Sequence, residues 1–203
     1  MMDFKGFVSA LAKIEKIPLP GHFGHKGLLP EANHERWAGV LCLFYPDEKG
    51  KTHFVLIRRQ ISAGPHSGQV AFPGGRKDPD DYSMAETALR ECEEEIGVSR
   101  HSIRLFKSMS ELYIPPSDFW VKPYMGFVDY SPKFIPRKEE VAGLIYVSAT
   151  ELFDDALLVM EQFHTPQDGA MDVPVFDFQG NRVWGATAMM LFEMRQTLGE
   201  IIS

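Results

Sequence analysis

Basic residues are outnumbered in this sequence, which holds 21 lysines and arginines against 28 aspartates and glutamates and has a formal net charge of -7. A general nucleic-acid binder needs a basic face to displace counterions from phosphates, so the charge argues against that class. An acidic enzyme still binds a polyanion where divalent metal ions bridge the two. The charge balance is therefore compatible with a metal site and speaks against a nucleic-acid partner.

Cysteine is also scarce, since only Cys42 and Cys92 are present and they form no CxxC pair. Free thiols in a reducing cytoplasm are the simplest interpretation. No apolar run reaches the roughly 20 residues that a membrane-spanning helix needs, and charged residues interrupt the N-terminal segment where a signal peptide would be apolar. We expect a cytoplasmic protein with no membrane partner.

The chain length of 203 residues fits one domain, and 44% hydrophobic with 24% charged residues is an ordinary globular composition. Apolar residues at helical spacing predict an N-terminal helix over residues 3–16, and a second such pattern predicts a C-terminal helix over about 186–200. We expect a single domain over residues 1–203, with these two helices as additions to its core.

Two apolar runs, 37–45 and 54–57, flank a polar turn at 47–50 and predict a hairpin at the centre of a sheet. Further elements are predicted as strands at 69–72, 103–106, 119–127 and 143–147 and as a helix at 149–157. Because strands and helices alternate irregularly, the pattern favours an α/β sandwich with a mixed sheet over a doubly wound parallel sheet.

A helix is predicted between Ser83 and Gly97. Ser83 is a suitable N-cap, Glu86 three residues later completes a capping box, and Gly97 is a suitable C-terminal stop. Before it, Pro73 ends the strand over 69–72, and a polar loop is expected up to Asp81. Cys92 falls on the apolar face of the helix, so we expect it to be buried.

Three carboxylates converge on this helix, because Glu94 and Glu95 lie three and four residues after Glu91. Like charges in one place are unfavourable unless something neutralises them, and hard divalent cations with oxygen ligands do so. The alternative is an ordinary solvent-facing charged helix. Gly74 and Gly75 precede the helix and permit close approach of the backbone to a metal or phosphate, which favours the metal site.

Residues 75–98, which read GRKDPDDYSMAETALRECEEEIGV, resemble the signature of the Nudix hydrolases. The match is position by position from Arg90 to Val98. Earlier, Arg76 and Tyr82 stand where the ungapped signature has Gly and Glu. One inserted residue restores Gly75 as the motif glycine and leaves Asp81 or Asp78 as the loop acid.

The insertion and the segment His66–Gly75, which reads HSGQVAFPGG, are similar to the coenzyme A pyrophosphatase subgroup of that family. Arg59 falls where that subgroup has its first arginine. A second arginine of the subgroup is absent, since Ala63 and Gly64 stand there.

The resemblance implies a Nudix-like α/β/α sandwich with a central mixed sheet and a Nudix box at about 75–98. It implies a site that holds Mg²⁺ or Mn²⁺. The implied metal ligands are Glu91, Glu95, Glu94 and the Gly75 carbonyl. The implied catalytic residues are Glu94, Glu140 and Arg90, and the implied substrate-binding residues are Arg59, His66, Gln69 and Arg76. For the general base the order of preference is Glu140, then Glu139, then Glu94.

The expected reaction is hydrolysis of a phosphoanhydride, with coenzyme A or acyl-CoA cut to phosphopantetheine and adenosine 3′,5′-bisphosphate. One alternative keeps the chemistry and changes the substrate to ADP-ribose or another nucleoside diphosphate derivative. An alternative of another class is a non-catalytic nucleotide sensor, and an RNA-decapping enzyme is disfavoured by the net charge. The expected partner is a small-molecule nucleotide, and a homodimer is possible.

Overall fold

The computed structural model describes residues 3–21, 36–61, 66–165 and 169–202. The α-helices are α1 (Phe4–Ala10), α2 (Met84–Ile96), α3 (Ala149–Leu152) and α4 (Gly185–Ile202). Short 3-10 helices span Leu11–Lys16, Arg100–Ser102 and Asp155–Leu157. The strands are β1 (Trp37–Pro46), β2 (Thr52–Arg59), β3 (Val70–Ala71), β4 (Gly74–Arg76), β5 (Arg104–Ser108), β6 (Leu112–Ile114), β7 (Phe119–Phe127), β8 (Val141–Ser148), β9 (Leu158–Thr165), β10 (Gly169–Phe178) and β11 (Asn181–Val183).

The main sheet is mixed, as the sequence predicted. Strands β1 and β2 form the expected antiparallel hairpin, with Phe44 opposite Phe54. The hairpin is central, because β7 pairs with β1 in parallel along its other edge and β8 pairs with β2 in antiparallel fashion. Strands β5 and β6 both add to the far edge of β7.

Strands β1 and β2 diverge away from their shared turn, and this divergence positions the candidate site. The hairpin pairing covers only residues 44–46 of β1 and 52–54 of β2. Beyond it, β3 pairs with β2 through Ala71 opposite Ile57, and β4 pairs with β1 through Gly75 opposite Gly39. The gap between the two central strands is thus filled by the two short strands that flank Pro73.

Alternation of side chains along β1 and β2 produces two hydrophobic cores, one on each face of the sheet. On one face, Leu41, Leu43 and Val55 pack with Ala88 and Cys92 of α2. The core on the other face combines the remaining strand positions with the N-terminal segment and α4; it includes Phe7, Phe44, Phe54, Phe178, Leu191 and Met194. Helices therefore cover both faces, which confirms the α/β/α sandwich.

Helix α2 begins and ends at the predicted residues. The Ser83 side chain accepts a hydrogen bond from the Glu86 backbone N–H, and Gly97 closes the helix in the left-handed region with a φ of 74°. The second hydrogen bond of the predicted capping box is wrong. The Glu86 carboxylate accepts from the backbone N–H of Tyr82 and not from that of Ser83. Cys92 is fully buried, as expected.

Glycine at position 39 lets α2 lie directly on the sheet. A Cβ atom on Gly39 would fall 2.5 Å from the carbonyl oxygen of Met84 and 2.9 Å from the backbone nitrogen of Ala88. Both contacts are with helix backbone, which has no freedom to rotate away. Position 39 therefore fixes the separation between the first turns of α2 and strand β1.

Three further sequence expectations need correction. The polar loop expected after Pro73 contains strand β4, because the open edge of β1 supplies a pairing partner that the local sequence does not reveal. The helix predicted at 149–157 is α-helical only over Ala149–Leu152 and continues as a 3-10 turn. The N-terminal helix predicted over 3–16 likewise changes from α-helix to 3-10 turn after Ala10.

A second sheet of three antiparallel strands, in the order β11-β10-β9, was not predicted. It packs against α4 through β10, and Phe176 and Phe178 of β10 join the core beneath that helix. Among the described residues, no helix is long and apolar enough to cross a membrane.

Candidate active site

The glycine pair of β4 lies directly beneath the carboxylates of α2. Gly74 has a positive φ of 153°, and a Cβ there would fall 2.4 Å from the carbonyl oxygen of Gly39. A Cβ on Gly75 would fall 2.4 Å from Oε2 of Glu91. Only glycine therefore permits this strand to pass so close to both β1 and the Glu91 carboxylate.

Glu95 is the buried member of the acidic cluster, with a side chain only 1% exposed. Its Oε2 accepts a 2.8 Å hydrogen bond from the backbone N–H of Gly74, and its Oε1 lies 3.7 Å from Nη1 of Arg59. Burial raises the pKa of Glu95 to about 7, although the Gly74 N–H and Arg59 oppose the shift. A carboxylate that is buried this deeply and only partly neutralised by Arg59 is suited to bind a divalent cation.

Glu91 and Glu94 lie beside Glu95 on the same face of α2 and share Arg90. Nη1 of Arg90 donates to Oε1 of Glu91 at 2.8 Å and to Oε1 of Glu94 at 3.3 Å. Burial raises the pKa of Glu91, and the Arg90 hydrogen bond partly offsets the increase. Glu94 is more open, with 40% of its side chain exposed. The three predicted carboxylates thus do converge.

Glu93 points away from the other three carboxylates of the helix. It pairs with Arg100, whose Nε donates to Oε2 at 2.5 Å, and this hydrogen bond lowers the pKa of Glu93. Glu93 is therefore a matched carboxylate on the same helix that does not take part in the cluster.

Asp81 holds the other side of the Arg90 guanidinium. Nε and Nη2 of Arg90 donate to the two oxygens of Asp81, each at 3.0 Å, and the Thr87 hydroxyl donates to Asp81 at 2.9 Å. The hydrogen bond from Arg90 lowers the pKa of Asp81 to about 2. Of the two acids proposed for this loop, Asp81 contacts the arginine, whereas Asp78 donates its backbone N–H to Asp81.

The segment before β8 brings Glu140 to the cluster. The Arg137 backbone N–H donates to the carbonyl oxygen of Glu95 at 2.9 Å, which ties this segment to the end of α2. Its carboxylate lies close to that of Glu94, because both contact Nη1 of Arg137. After the larger effect of burial, the charge of Glu140 also raises the pKa values of Glu91 and Glu95. Glu139, the second candidate for the base, is exposed.

Arg137 is a cation of the site that the sequence did not single out. Its Nη1 lies 3.1 Å from Oε1 of Glu140 and 4.0 Å from Oε2 of Glu94. It therefore links the acidic helix to the segment that carries Glu140. Only its position three residues before Glu140 signalled this role.

The predicted substrate-binding residues fall into two groups. Arg59 contacts Glu95, while its neighbour Arg58 is exposed, because successive side chains of a strand point to opposite faces. His66 and Gln69 contact each other, with Nδ1 of His66 3.0 Å from Oε1 of Gln69, and the Gln69 carbonyl accepts from the Arg59 backbone N–H. The three residues are thus connected through Gln69, and Arg59 is the one that contacts Glu95. Positions 63 and 64 lie outside the described residues.

Arg76 is not brought to the acidic cluster by its side chain. Arg76 of β4 pairs with Ala38 of β1. Because side chains alternate along a strand, its exposed side chain points to the face of the sheet opposite that of Gly75. Its backbone does contribute, because the carbonyl oxygen accepts a 3.1 Å hydrogen bond from Nη2 of Arg90. Its predicted contact with substrate stays a prediction.

The oxygen donors at this site are of the kind that hard divalent cations prefer. Across residues 3–21, 36–61, 66–165 and 169–202, however, no group of three or more His, Cys, Asp or Glu side chains has the geometry to hold a metal ion. Arg90 lies between Glu91 and Glu94 and forms ion pairs with both. Burial first, and then the neighbouring carboxylates, raise the pKa values of Glu91 and Glu95. A divalent cation would stabilise the ionised form of both groups, so the chemistry of the site fits such an ion.

A separate cavity of about 340 Å³ lies at the other end of β2. Its lining includes Thr52, His53 and Tyr146, whereas the acidic cluster lies beside Arg59 at the opposite end of that strand. This cavity contains none of the residues of the acidic cluster, so we attach no catalytic role to it.

Comparison with known proteins places this arrangement in context. A family model described as the NUDIX domain matches residues 35–168. NudL of Yersinia enterocolitica, described as an uncharacterized Nudix hydrolase, is 33% identical over 144 residues, which cover 70% of this chain and 72% of NudL.

Solved structures agree in fold. RenU, a Nudix hydrolase from M. Smegmatis, superposes with a TM-score of 0.57 at 15% identity and covers 90% of this chain and 96% of its own. A MutT protein from Methanosarcina mazei Go1 gives a TM-score of 0.51 at 18% identity, with coverage of 81% and 94%. At these identities the similarity extends to the fold alone.

Proposed function

The chain belongs to the Nudix hydrolase family, and from this premise we propose that it cuts the phosphoanhydride bond of coenzyme A or acyl-CoA into phosphopantetheine and adenosine 3′,5′-bisphosphate. The observation that carries the hydrolytic role is the position of Glu91 against Gly75, beside the buried Glu95. The choice of substrate is supported by the segment His66–Gly75, which resembles the coenzyme A pyrophosphatase subgroup.

The residues that would hold Mg²⁺ or Mn²⁺ are Glu91, Glu95 and Glu94, together with the Gly75 carbonyl. When bound, the metal neutralises phosphate oxygens and makes a coordinated water easier to deprotonate. Arg90 is a positioning residue in this scheme, because its hydrogen bonds set the angles of Glu91 and Glu94.

The remaining groups bind the diphosphate and accept the proton. Arg59 is close enough to Glu95 to hold it and to share its charge with a phosphate oxygen. His66 and Gln69 extend the same surface. Glu140 takes the proton from the water that attacks phosphorus as the bridging P–O bond breaks, with Glu139 and then Glu94 as the other candidates for the base.

Two other functions compete with this one. A pyrophosphatase for ADP-ribose or another nucleoside diphosphate derivative would use the same carboxylates and differ in the surface around His66. A non-catalytic sensor has no need for three converged carboxylates, and Glu91, Glu94 and Glu95 are all present here. We therefore favour the hydrolase.

Phosphorus NMR of the products from coenzyme A, ADP-ribose and a dinucleoside polyphosphate, with and without Mg²⁺, tests the proposal. We expect metal-dependent conversion of coenzyme A to the two phosphomonoester products. Faster turnover of ADP-ribose than of coenzyme A would make ADP-ribose the better candidate for the substrate. Turnover of none of the three compounds at any metal concentration would favour the sensor.

A matched pair of variants tests the assigned carboxylates. Glu91→Gln should abolish most of the turnover, while Glu93→Gln, on the same helix but paired with Arg100, should leave it near normal. Four expectations from the sequence stay predictions. They are the single domain over residues 1–203, the homodimer, the cytoplasmic location and the lack of nucleic-acid and membrane partners.

A further inference from the structure

Three arginines contact the carboxylates of the candidate active site, each from a different segment of the chain. They are Arg90 of α2, Arg59 at the end of β2 and Arg137 in the segment before β8. A guanidinium group has five N–H donors in a fixed planar arrangement and accepts no hydrogen bond. The number of donors that the protein itself already uses therefore determines which of the three arginines can bind a phosphate.

Arg90 has no donor left for a ligand. Its Nε donates to Asp81, and its Nη2 donates to Asp81 and to the carbonyl oxygen of Arg76. Its Nη1 donates to Glu91 and to Glu94. These five hydrogen bonds use all five N–H groups of the side chain. Arg90 therefore holds parts of the protein together and has no N–H group to offer to a phosphate.

Arg59 and Arg137 keep unused donors. In the part of the chain that the structure describes, Nε and Nη2 of both residues have no hydrogen-bond partner, and Nη1 makes their ion pairs. Their side chains are 37% and 49% exposed, so a ligand in solution can reach both. Arg59 contacts Glu95, and Arg137 contacts Glu94 and Glu140. Two accessible cations thus lie against different carboxylates of the site.

The backbone of Arg137 is fixed although its side chain is exposed. Its N–H donates to the Glu95 carbonyl at 2.9 Å, and its own carbonyl accepts from the Glu140 N–H at 3.0 Å. The Gln60 side chain holds the same turn, because its Nε2 donates to the Lys138 carbonyl at 2.7 Å. A side chain on a fixed backbone loses less conformational freedom on binding than one on a mobile loop. Substitution of the Arg137 side chain leaves these backbone hydrogen bonds in place.

The segment that resembles the coenzyme A pyrophosphatases has one arginine fewer than that subgroup, since Ala63 and Gly64 stand at the second position. A diphosphate carries negative charge on both of its phosphates, and guanidinium groups bind phosphate oxygens through charge-assisted hydrogen bonds. Arg59 can serve one phosphate. Because all donors of Arg90 are engaged, Arg137 is the arginine of this site that can serve the other.

We propose that Arg137 binds an oxygen of the phosphate that is attacked, and so replaces the arginine missing at positions 63 and 64. The proposal rests on the proposed function, since it requires a diphosphate at the acidic cluster. Glu140, the proposed base, lies 3.1 Å from Nη1, which leaves Nε and Nη2 for the phosphate. One planar guanidinium would then hold the base beside the phosphate, whereas the single ammonium group of a lysine cannot reproduce this geometry.

Binding of methylenediphosphonate, whose phosphorus atoms are joined by a carbon that water cannot displace, tests the proposal without turnover. In calorimetric titrations with Mg²⁺ present, Arg137→Ala should raise the Kd about 10- to 100-fold, as expected for the loss of charge-assisted hydrogen bonds. Arg137→Lys should restore only part of the affinity. An unchanged Kd in Arg137→Ala, or no binding by the wild type, would overturn the proposal.

Lys138→Ala is the matched control, because it removes the same charge from the exposed neighbouring position of the same turn. Its Kd for methylenediphosphonate should stay within about twofold of the wild-type value, since an exposed charge without a fixed contact contributes little. An equal increase in Lys138→Ala and Arg137→Ala would reduce the effect to net charge and contradict the assignment of Arg137.

Two further measurements separate phosphate binding from indirect effects. If Arg137 acts only by holding Glu140, its replacement has no effect in a Glu140→Ala background; we expect the increase in Kd to persist there. If Arg137 instead helps to assemble the metal site, Arg137→Ala weakens Mn²⁺ binding in the absence of the diphosphonate. We expect equal or tighter Mn²⁺ binding, because the variant removes a cation from beside Glu94. Either of the contrary results would reject direct contact with the phosphate.

The proposed function and the role of Arg137 fail in distinguishable ways. Methylenediphosphonate contains no part of coenzyme A beyond the paired phosphorus groups, so weaker binding in Arg137→Ala supports the phosphate contact even when coenzyme A is not hydrolysed. If coenzyme A is hydrolysed and Arg137→Ala keeps both the wild-type kcat and the wild-type Kd for the diphosphonate, the role of Arg137 is wrong and the function stands.

Discussion

Arg90 and Asp81 form a two-point ion pair in which Nε and Nη2 of the arginine each donate to one carboxylate oxygen at 3.0 Å. The pair joins the loop before α2 to the helix and leaves Nη1 of Arg90 to bond with Glu91 and Glu94. The loop acid therefore reaches the acidic cluster through the arginine rather than directly.

Asp81→Asn should lower the free energy of unfolding at pH 7 by about 1–3 kcal/mol, because it replaces charge-assisted hydrogen bonds to Arg90 with weaker ones. It should also lower kcat about 10- to 100-fold, since Arg90 would no longer be fixed. Urea unfolding and steady-state kinetics measure the two effects. The control is Asp80→Asn at the exposed neighbouring position, and an equal loss there would refute the role of the pair.

The same ion pair predicts a pH dependence. The pKa of Asp81 is lowered to about 2 in the folded chain, against about 3.9 for an unperturbed aspartate. Its contribution to stability is therefore present above about pH 4 and is lost as the pH falls toward about 2. The difference in unfolding free energy between wild type and Asp81→Asn should shrink across that window. A constant difference would mean that the charge of Asp81 is irrelevant.

The raised pKa of Glu95 predicts that the free energy of unfolding changes with pH in the opposite direction, and at higher pH. Its folded pKa is about 7, whereas an unfolded glutamate titrates near about 4.3. Between these values the folded chain holds a proton that the unfolded chain has lost, so without metal the stability should fall as the pH rises from about 4 to about 7. Glu95→Gln should flatten much of this slope in urea titrations at several pH values; Glu93→Gln should not.

Metal binding should offset the loss of stability that the ionisation of Glu95 causes in the folded chain. Divalent ions that bind only the folded chain stabilise it by about 2.7 kcal/mol at a concentration one hundred times the Kd. We expect Mg²⁺ to raise the unfolding temperature of the wild type at pH 7 and EDTA to cancel the increase. Glu95→Gln should respond weakly to both, and a full response in that variant would remove Glu95 from the metal site.

Gly75→Ala should impair catalysis without unfolding the protein. The added Cβ would lie 2.4 Å from Oε2 of Glu91, so the carboxylate must move. A displacement of about 1 Å at a reacting centre is enough to lower the rate about 10²-fold. Gly143→Ala is the matched control, because a Cβ there has no neighbour within 4 Å. Wild-type kcat in Gly75→Ala would show that Glu91 needs no such proximity to the strand.

Glu140→Gln tests the choice of base. Removal of a general base lowers kcat about 10²- to 10⁴-fold, while Glu139→Gln, at the exposed adjacent position, should stay within about twofold by the same reasoning. Saturating substrate and Mg²⁺ isolate kcat from binding. The reverse order of the two variants would transfer the role to Glu139.

Much of the site could be predicted because it lies on one helix. The caps of α2, the convergence of Glu91, Glu94 and Glu95, and the divergence of Glu93 all follow from the period of an α-helix. Arg137 could not be found in this way, since it reaches the cluster through a backbone hydrogen bond to Glu95. That contact joins segments more than forty residues apart in sequence.

The parts of the fold that were missed depend on partners distant in sequence. β10 carries Pro174 and Asp172 within its length, and both residue types argue against a strand. It forms nevertheless, because its Phe176 and Phe178 are buried beneath α4. The stacking of Trp37 on Trp120 was missed for a similar reason, because the two residues become neighbours only through the pairing of β1 with β7.

Gly39 leaves no space for a side chain between β1 and the N-terminal turns of helix α2. Any side chain at that position must lift Met84 and Ala88 away from β1, while the opposite end stays tied to the sheet where Glu95 accepts from Gly74. The helix would then tilt as a rigid body, and its carboxylates would move with it. A single methyl group on a strand residue that touches no substrate would thus misalign the whole set.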